Sequence, residues 1–538
     1  LGGVSLCSAQ GPLYTDVNAY ALPSWHADYV VEPVLSVGDI VPQTSNLAAG
    51  QFQFVGIPDG MGAYNIPGSQ TVMNVAHEFG WTTLSRPVLG GDRIRGAFVS
   101  SYVISNVDRG VLSGDLAFTT TNQDGVGSFP IATETNGQPA FARFCSAYQA
   151  GPYNGFNDWI FIANEEAGIA FGATYYDATT TNLGSQTVAV FKNRAHALSG
   201  VGHFSKENTV ARPYTPRAGY NNKIVLLSFE DGPNSAPYSG VYMYVGQRNF
   251  QATDPNPVVQ DLKRNGLVGG QLYYLKSINP AVNDESDITV EGASQNCQWV
   301  LAPNAATQTE TDLKNEMTAN DFFKFSRPED GHYNPRNPNQ WIFVTTGEGD
   351  LGNTLGRIYE LRLNATNPTG PCQLILKYNA ATSLLDGPLA PDNMVFTASG
   401  DILVQEDGTS TSRPVYNTRN RNAGIWKLNI ARPFNEREFV VGQTDIGRDN
   451  ILAHRGTGTV VGSQTGFPIT QRGLWETTGI IDHRFVRGRR AYNGFLFAVQ
   501  AHSPTTAPVA DSVEDGQILF MAPCVIPVRP NELGLPQP

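Results

Sequence analysis

The chain has 538 residues, 41% hydrophobic, 10% aromatic and only 16% charged, with 55 glycines and 35 prolines. That mixture excludes an unfolded polyelectrolyte, which needs high charge and few aromatics, and points to many turns joining short packed strands. The net charge of -12 repels polyanions, so nucleic acid is not an expected partner, and without an apolar run of 18 residues no transmembrane helix is expected.

Along the chain, residues 1–50 read as a Pro-rich or irregular segment that wraps the body, and residues 524–538 as an irregular tail. From about residue 155 onward, apolar stretches bounded by Gly, Asp or Asn read as strands: "DWIFIANEE", "KIVLLSFEDG", "GVYMYVG", "QWIFVTTGEG", "GRIYELRL", "MVFTASGDILVQEDG", "AGIWKLNI" and "GQILFMAP". Helical signal is confined to Val258–Gly266, closed by its glycine, and Thr309–Phe323, which has a polar face. Strand–turn–strand units recur without a strict period. The expected fold is therefore all-β: a β-propeller forming a single domain over 1–538, with inserted loops and short helices.

Several signatures are missing. There is no GxSxG elbow, HExxH, P-loop or GxGxxG after a strand, and the eight histidines are scattered. The five cysteines, Cys7, Cys145, Cys297, Cys372 and Cys524, form no CxxC pair, which argues against a zinc knuckle. In a secreted chain they would give two disulfides and one free thiol. Asn364-Ala365-Thr366 is a short glycosylation sequon.

What the sequence does carry is paired acids at strand ends: Glu165-Glu166, Glu230-Asp231, Glu329-Asp330 and Glu406-Asp407. Any one pair reads well as a solvated turn. Four together fit that less easily, because Glu is not a preferred turn residue. In a propeller such ends converge on the central channel, and crowded carboxylates repel unless a cation neutralises them. Oxygen donors suit Ca²⁺, Mg²⁺ or iron. The stretch "FSRPEDGHYNP", Phe325 to Pro335, sets Arg327 beside Glu329 and Asp330 around a proline that fixes φ.

In order along the chain stand "IPDGMGAYN…VMNVAHEFG", "GAFVSSYVI", "ARFCSAY…IFIANEEAG", "GHFSKENTVA", "SFEDG…GVYMYVG", "FSRPEDG", "DNMVFTASGDILVQEDG" and "TTGIID…AVQAHS". Together, over roughly residues 50 to 520, they resemble the PhoX-type alkaline phosphatase family, and most closely its secreted bacterial branch. The resemblance implies a six-bladed propeller whose central iron and calcium ions hydrolyse phosphate esters. It implies Cys145, Glu207 and Glu329 as iron ligands, Glu166 (with Glu165 beside it) and Asp231 as calcium ligands, and Arg327 as the catalytic grip on phosphate. Cys145 would then be the free thiol, although a buried structural cysteine is an equal alternative. Apart from the resemblance, the positions of Cys7 and Cys524 near the two ends make a bridge between them attractive. Asn393 and Asp407 flank a strand pair facing the channel and are expected as supporting or calcium-binding groups. His77 and Glu78 read as a braced pair without a chemical role.

The sequence also departs from the family. "SAYQAGPYNGFND" replaces a glycine-rich, tryptophan-containing segment after Cys145, Lys206 precedes Glu207 where His is usual, and "NTVARPY" lacks a phosphate-contacting tryptophan. Two readings follow: a secreted, periplasmic or cell-surface phosphoesterase acting on a small phosphate ester, or a non-catalytic calcium-bound propeller serving binding, oligomerisation or surface assembly. Architecture alone does not choose between them.

Overall fold

Many of the strands are buried on both faces. Every residue of Ile160–Glu165, Asp401–Glu406 (Asp401 excepted) and Phe495–Ala501 is buried, which explains apolar runs that are nearly continuous instead of alternating. Such strands need a hydrophobic layer on each side, and stacked sheets supply it. The computed structural model describes residues 15, 17, 19–23, 29–167, 183–217, 219–233, 235–249, 251–383, 386–397, 399–419, 421–429, 438–443, 475–482, 494–502 and 509–523.

Within these residues the protein is all-β, with a β-propeller-like arrangement. Two six-stranded sheets, a nine-stranded, a five-stranded and a four-stranded sheet stand around a common axis, accompanied by a two-stranded ribbon. The nine-stranded sheet is two antiparallel meanders joined edge to edge where Ser294–Ala302 pairs with Cys372–Asn379. Six strands line the axis: β1 (Pro58–Ile66), β2 (Phe144–Ala150), β3 (Thr209–Ala211), β4 (Pro328–Asn334), β5 (Pro391–Phe396) and β6 (Glu476–Asp482). Each packs on the next, and β6 returns to β1.

Hydrophobic slabs fill the space between successive units. Val395 and Leu403 meet Phe497 and Leu519, Ala498 and Phe520 meet Met73 and Tyr102, and Phe98 and Val99 meet Phe161 and Val188. Beyond these, Ile160 and Ile162 meet Leu226 and Tyr244, and Leu227 and Met243 meet Phe343 and Tyr359.

Part of the N-terminal stretch expected to be irregular is regular strand. Tyr29–Ser36 pairs antiparallel with Asp515–Pro523 and so completes the four-stranded sheet with chain from the opposite end. Ile40–Gln43 and Asn46–Gln53 extend a six-stranded sheet. The tail 524–538 lies outside the described residues.

The two expected helices are present and shorter than their patterns: α1 (Pro257–Arg264), capped by the Asn256 side chain, and α2 (Glu310–Ala319), capped by Thr309. No helix among the described residues is long and apolar enough to cross a membrane.

Cys145, Cys297 and Cys372 are free and buried. Cys297 and Cys372 face one another in register across the seam of the nine-stranded sheet as thiols, so two disulfides do not form as expected. Cys7 and Cys524 lie outside the described residues.

Candidate metal centre

A shared turn opens four of the inner strands. Ile57, Arg143, Arg327 and Ala390 have φ of 46°, 47°, 53° and 44°, left-handed values that strain a non-glycine residue by about 1–3 kcal/mol each. The carbonyl of each accepts a hydrogen bond from the residue just past the second strand of its sheet: Glu78, Glu166, Thr346 and Asp407, at 3.1, 2.9, 3.0 and 3.0 Å. One residue on stands Pro58, Phe144, Pro328 or Pro391, and then Asp59, Cys145, Glu329 or Asp392. The ladder slips at this point in every case, between Pro58 and Met61, Phe144 and Ala147, Pro328 and Gly331, and Pro391 and Met394. A bulge re-aims side chains, and here it turns the second residue after the strained turn toward the axis.

The result is a buried basin of ligand atoms. Asp59, Cys145 and Glu207 form one group with their donor atoms within 4.8 Å of one another, and Glu207, Glu329 and Asp392 form a second. Glu207 belongs to both, and Glu78, Cys145 and Glu166 form a third group that shares Cys145 with the first. Cys145 Sγ donates to Asp59 Oδ2 at 3.3 Å, and Gln500 Nε2 donates to the same oxygen at 2.8 Å.

Burial dominates the electrostatics. It raises Asp59 to about 7, helped by the Glu78 carboxylate. Burial followed by neighbouring carboxylates pushes Glu207 and Glu329 well above the usual range, although Arg327 opposes the shift at Glu329, and burial likewise raises Asp392 and Glu476. Burial and the surrounding anions also raise the Cys145 thiol.

The donors fit cations. Asp392 Oδ1 is buried without a hydrogen-bond partner, and such an orphaned acceptor is costly unless something positive meets it; Glu329 Oε1 likewise lacks a hydrogen bond but has Arg327 Nη2 at 3.4 Å. The carboxylate oxygens suit hard cations, high-valent iron among them, and Cys145 adds a soft donor that suits iron.

Each acidic pair divides its work, because neighbouring side chains on a strand point to opposite faces. Glu165 accepts from Ala142 N–H and Gln186 N–H at 2.9 and 3.1 Å, and so braces its own sheet instead of facing the basin, while Glu166 turns toward the axis. Glu230 accepts from Gly240 N–H, Tyr242 Oη and Lys314 Nζ, whereas Asp231 meets Arg327. Glu406 holds Leu389 N–H, Gly424 N–H and Arg421, leaving Asp407 near Arg327 and His502. In the fourth pair Glu329 enters the basin, and Asp330 accepts from Asn208, Gly331 and Met394 below it. Asn393 Oδ1 accepts from Thr478 Oγ1 and Gly479 N–H, tying β5 to β6.

Two arginines face the mouth. Arg327 grips Asp231 through Nε and Nη2 at 2.8 and 3.0 Å, and lies 3.4 Å from Glu329 and 3.8 Å from Glu348. Arg143 Nη2 stands between Glu78 and Glu166 at 2.7 and 2.8 Å. Glu166 and Asp231 face each other closely enough for each to shift the other's protonation. Burial alone would raise Asp231, but the charge and hydrogen bonds of Arg327 outweigh it and hold this carboxyl below its ordinary value. Lys206 turns away from the basin, its Nζ spent on the carbonyls of Ser185, Gly202 and Phe204.

Of the residues singled out from sequence, Cys145, Glu166, Glu207, Asp231, Arg327 and Glu329 converge. Asp407 lies at the rim, and Glu165 and Asn393 are structural ties. Sequence reasoning missed Asp59 and Asp392 as basin residues. Their context, "IPD" and "APD", matches the "RPE" of Glu329, and "RFC" holds the same place before Cys145; this short repeat was the available signal. Glu476 was missed as well, and Glu78, expected to pair with His77, pairs instead with Arg143 while His77 meets the Gly56 carbonyl and Ser100.

On the other side of the Asn208–Asp330–Asn393 layer the channel widens into a cavity of about 180 Å³. Met61, Tyr148, Trp159, Tyr333 and Ile480 line it, and it is mostly apolar.

A family model described as alkaline phosphatase PhoX matches residues 187–466. No curated protein matches the chain. Among solved structures, PhoX of Pseudomonas fluorescens in complex with vanadate, a transition state analogue, is 13% identical with a TM-score of 0.59, covering 94% of this chain and 98% of that one, a likeness of fold. A protein of unknown function from Dyadobacter fermentans is 9% identical with a TM-score of 0.38, covering 91% and 99%.

Proposed function

The chain belongs to the PhoX alkaline phosphatase family, whose model spans more than half its length, and from that premise we propose that it is a metal-dependent phosphatase of small phosphate esters working at the carboxylate–cysteine basin. The observation carrying this is the pair of buried ligand groups joined through Glu207, with Arg327 beside Glu329 at their edge. Cys145, Asp59, Glu207, Glu329 and Asp392 would hold iron, and Glu166 and Asp231 calcium. When bound, these cations supply Lewis-acid stabilisation of the charge that develops on the phosphoryl group.

The protein's own residues do the rest. Arg327 offers a planar fork to two phosphate oxygens, and its backbone is fixed by the strained turn and by Pro328. Gln500 orients Asp59 through its amide, and Asn393 holds β5 against β6 so that Asp392 keeps its place. Cys145 gives up its proton on ligation, which makes cation uptake pH-dependent. Action outside the cytoplasm, as for exported members of the family, is part of the proposal, and the chain is treated as one domain over 1–538.

Elemental analysis of protein purified without chelator, together with turnover of 4-nitrophenyl phosphate, tests this. Iron and calcium near whole-number stoichiometry with turnover is the expected result. Arg327→Ala should abolish turnover with metal content retained, and Glu329→Ala should lose both. Calcium without iron and no hydrolysis would instead favour a non-catalytic calcium-bound propeller.

A further inference from the structure

Arg143 and Arg327 occupy equivalent places in the internal repeat. Each has a left-handed backbone, gives its carbonyl to the residue after the second strand, and stands two residues before a basin ligand, Cys145 or Glu329. At the other two equivalent turns stand Ile57 and Ala390, so the turn geometry itself does not demand arginine. Both arginines are partly solvent-facing, with side chains 36% and 21% exposed, and are therefore reachable from the mouth of the channel. Both are held by acids that meet each other: Glu78–Arg143–Glu166–Asp231–Arg327–Glu329 is one continuous chain of contacts across the mouth.

We propose that Arg143 is a second phosphate-binding arginine, paired with Arg327 and held off the substrate by Glu78 and Glu166 until a divalent cation takes Glu166 and Asp231. The inference rests on the phosphatase reading and names a further binding residue for it. A guanidinium cannot give its fork to a phosphate while the fork is engaged by carboxylates, and a calcium ion competes for those same oxygens. A cation placed at Glu166 and Asp231 therefore loosens both arginines at once: Arg143 loses Glu166 and stays on Glu78, and Arg327 loses Asp231 and stays beside Glu329. Cation and phosphate then bind cooperatively, and the coupling is reciprocal: each raises the affinity for the other by the same factor. Two arginines approaching from β2 and β4, on either side of β3, also supply anion contacts in a chain that lacks the tryptophan expected after Glu207.

Calorimetric titration of inorganic phosphate into the purified metal-loaded protein, at low and at millimolar calcium, tests this. Wild type should bind phosphate at least tenfold more tightly with calcium present. Arg143→Gln should weaken phosphate binding at least tenfold and raise KM for 4-nitrophenyl phosphate by a similar factor, with a smaller change in kcat and with iron content unchanged. Arg143→Lys keeps the charge without the fork and should recover part of the loss, which a purely structural role would not predict. Circular dichroism confirms that both variants fold. Phosphate binding equal in wild type and Arg143→Gln, with Arg327→Gln alone defective, would overturn this inference and leave the phosphatase standing. Wild-type protein that neither binds phosphate nor turns over ester would sink both.

Discussion

Removing the cations while raising the pH should destabilise this protein, and the size of the effect can be worked from one residue. Asp59 is fully buried, and its carboxyl is raised from 3.8 to about 7, by burial first and then by Glu78. Between those values the folded protein keeps a proton that the unfolded chain has released, so stability is full below pH 4 and falls as pH rises to about 7. From pH 5 to 7 the loss is two units at ~1.36 kcal/mol each, or about 3 kcal/mol. For a chain of 538 residues at ~2.1 cal/mol/K per residue, the unfolding entropy is ~1.1 kcal/mol/K, and the loss corresponds to about 2–3 °C in Tm.

The raised carboxyls of Glu207, Glu329, Asp392 and Glu476 add in the same direction. Buried His77, His196 and His332, pushed down to about 4, 3 and 4, act in the opposite sense but lie outside the basin, so they cancel when loaded and chelated protein are compared. Scanning calorimetry at pH 5, 6 and 7, with and without chelator, should show the Tm advantage of the loaded protein growing by at least ~2 °C over that range. A constant advantage would refute the assignment of the basin as the cation site.

Other outcomes follow from particular contacts. Gly479 has φ of 40°, and a Cβ there would meet the Asp59 carbonyl at 2.2 Å, so Gly479→Ala should push β6 off β1 and lower both iron content and Tm. Glu285 accepts from Ser326 N–H at 2.8 Å, Tyr359 Oη at 2.9 Å and Asn353 Nδ2 at 3.0 Å, well below the surface. Glu285→Ala strands these donors and should cost on the order of 3–5 kcal/mol in urea unfolding, while iron remains bound. Asp59→Asn should shrink the pH-dependent part of the cation-induced Tm gain; an unchanged gain would move the first cation away from Asp59.

The sequence by itself determined the class of fold and the chemical character of the site. Glycine- and proline-punctuated apolar runs can satisfy their backbone only as packed strands, and low charge with abundant aromatics requires a large core. The "RPED" segment carried Arg327 and Glu329, because a proline beside ligand types is a local feature, while Cys145 came from the family resemblance. Two of the three α-helices among the described residues were visible, one from its closing glycine and one from its helix formers and polar face, whereas Arg413–Thr418 was not expected.

What stayed hidden is set by convergence. Asp59 and Glu476 lie more than four hundred residues apart, and only closure of the ring brings β6 onto β1. The division of each acidic pair into a brace and a basin residue depends on which face of a strand end looks inward. A one-residue bulge sets that orientation for Glu329 and Asp330, the position of the strand end sets it for the other pairs, and no residue type encodes either uniquely. The same limit separates Glu165 from Glu166: adjacent and identical in type, they differ only in whether backbone N–H groups or the central channel lie in front of them.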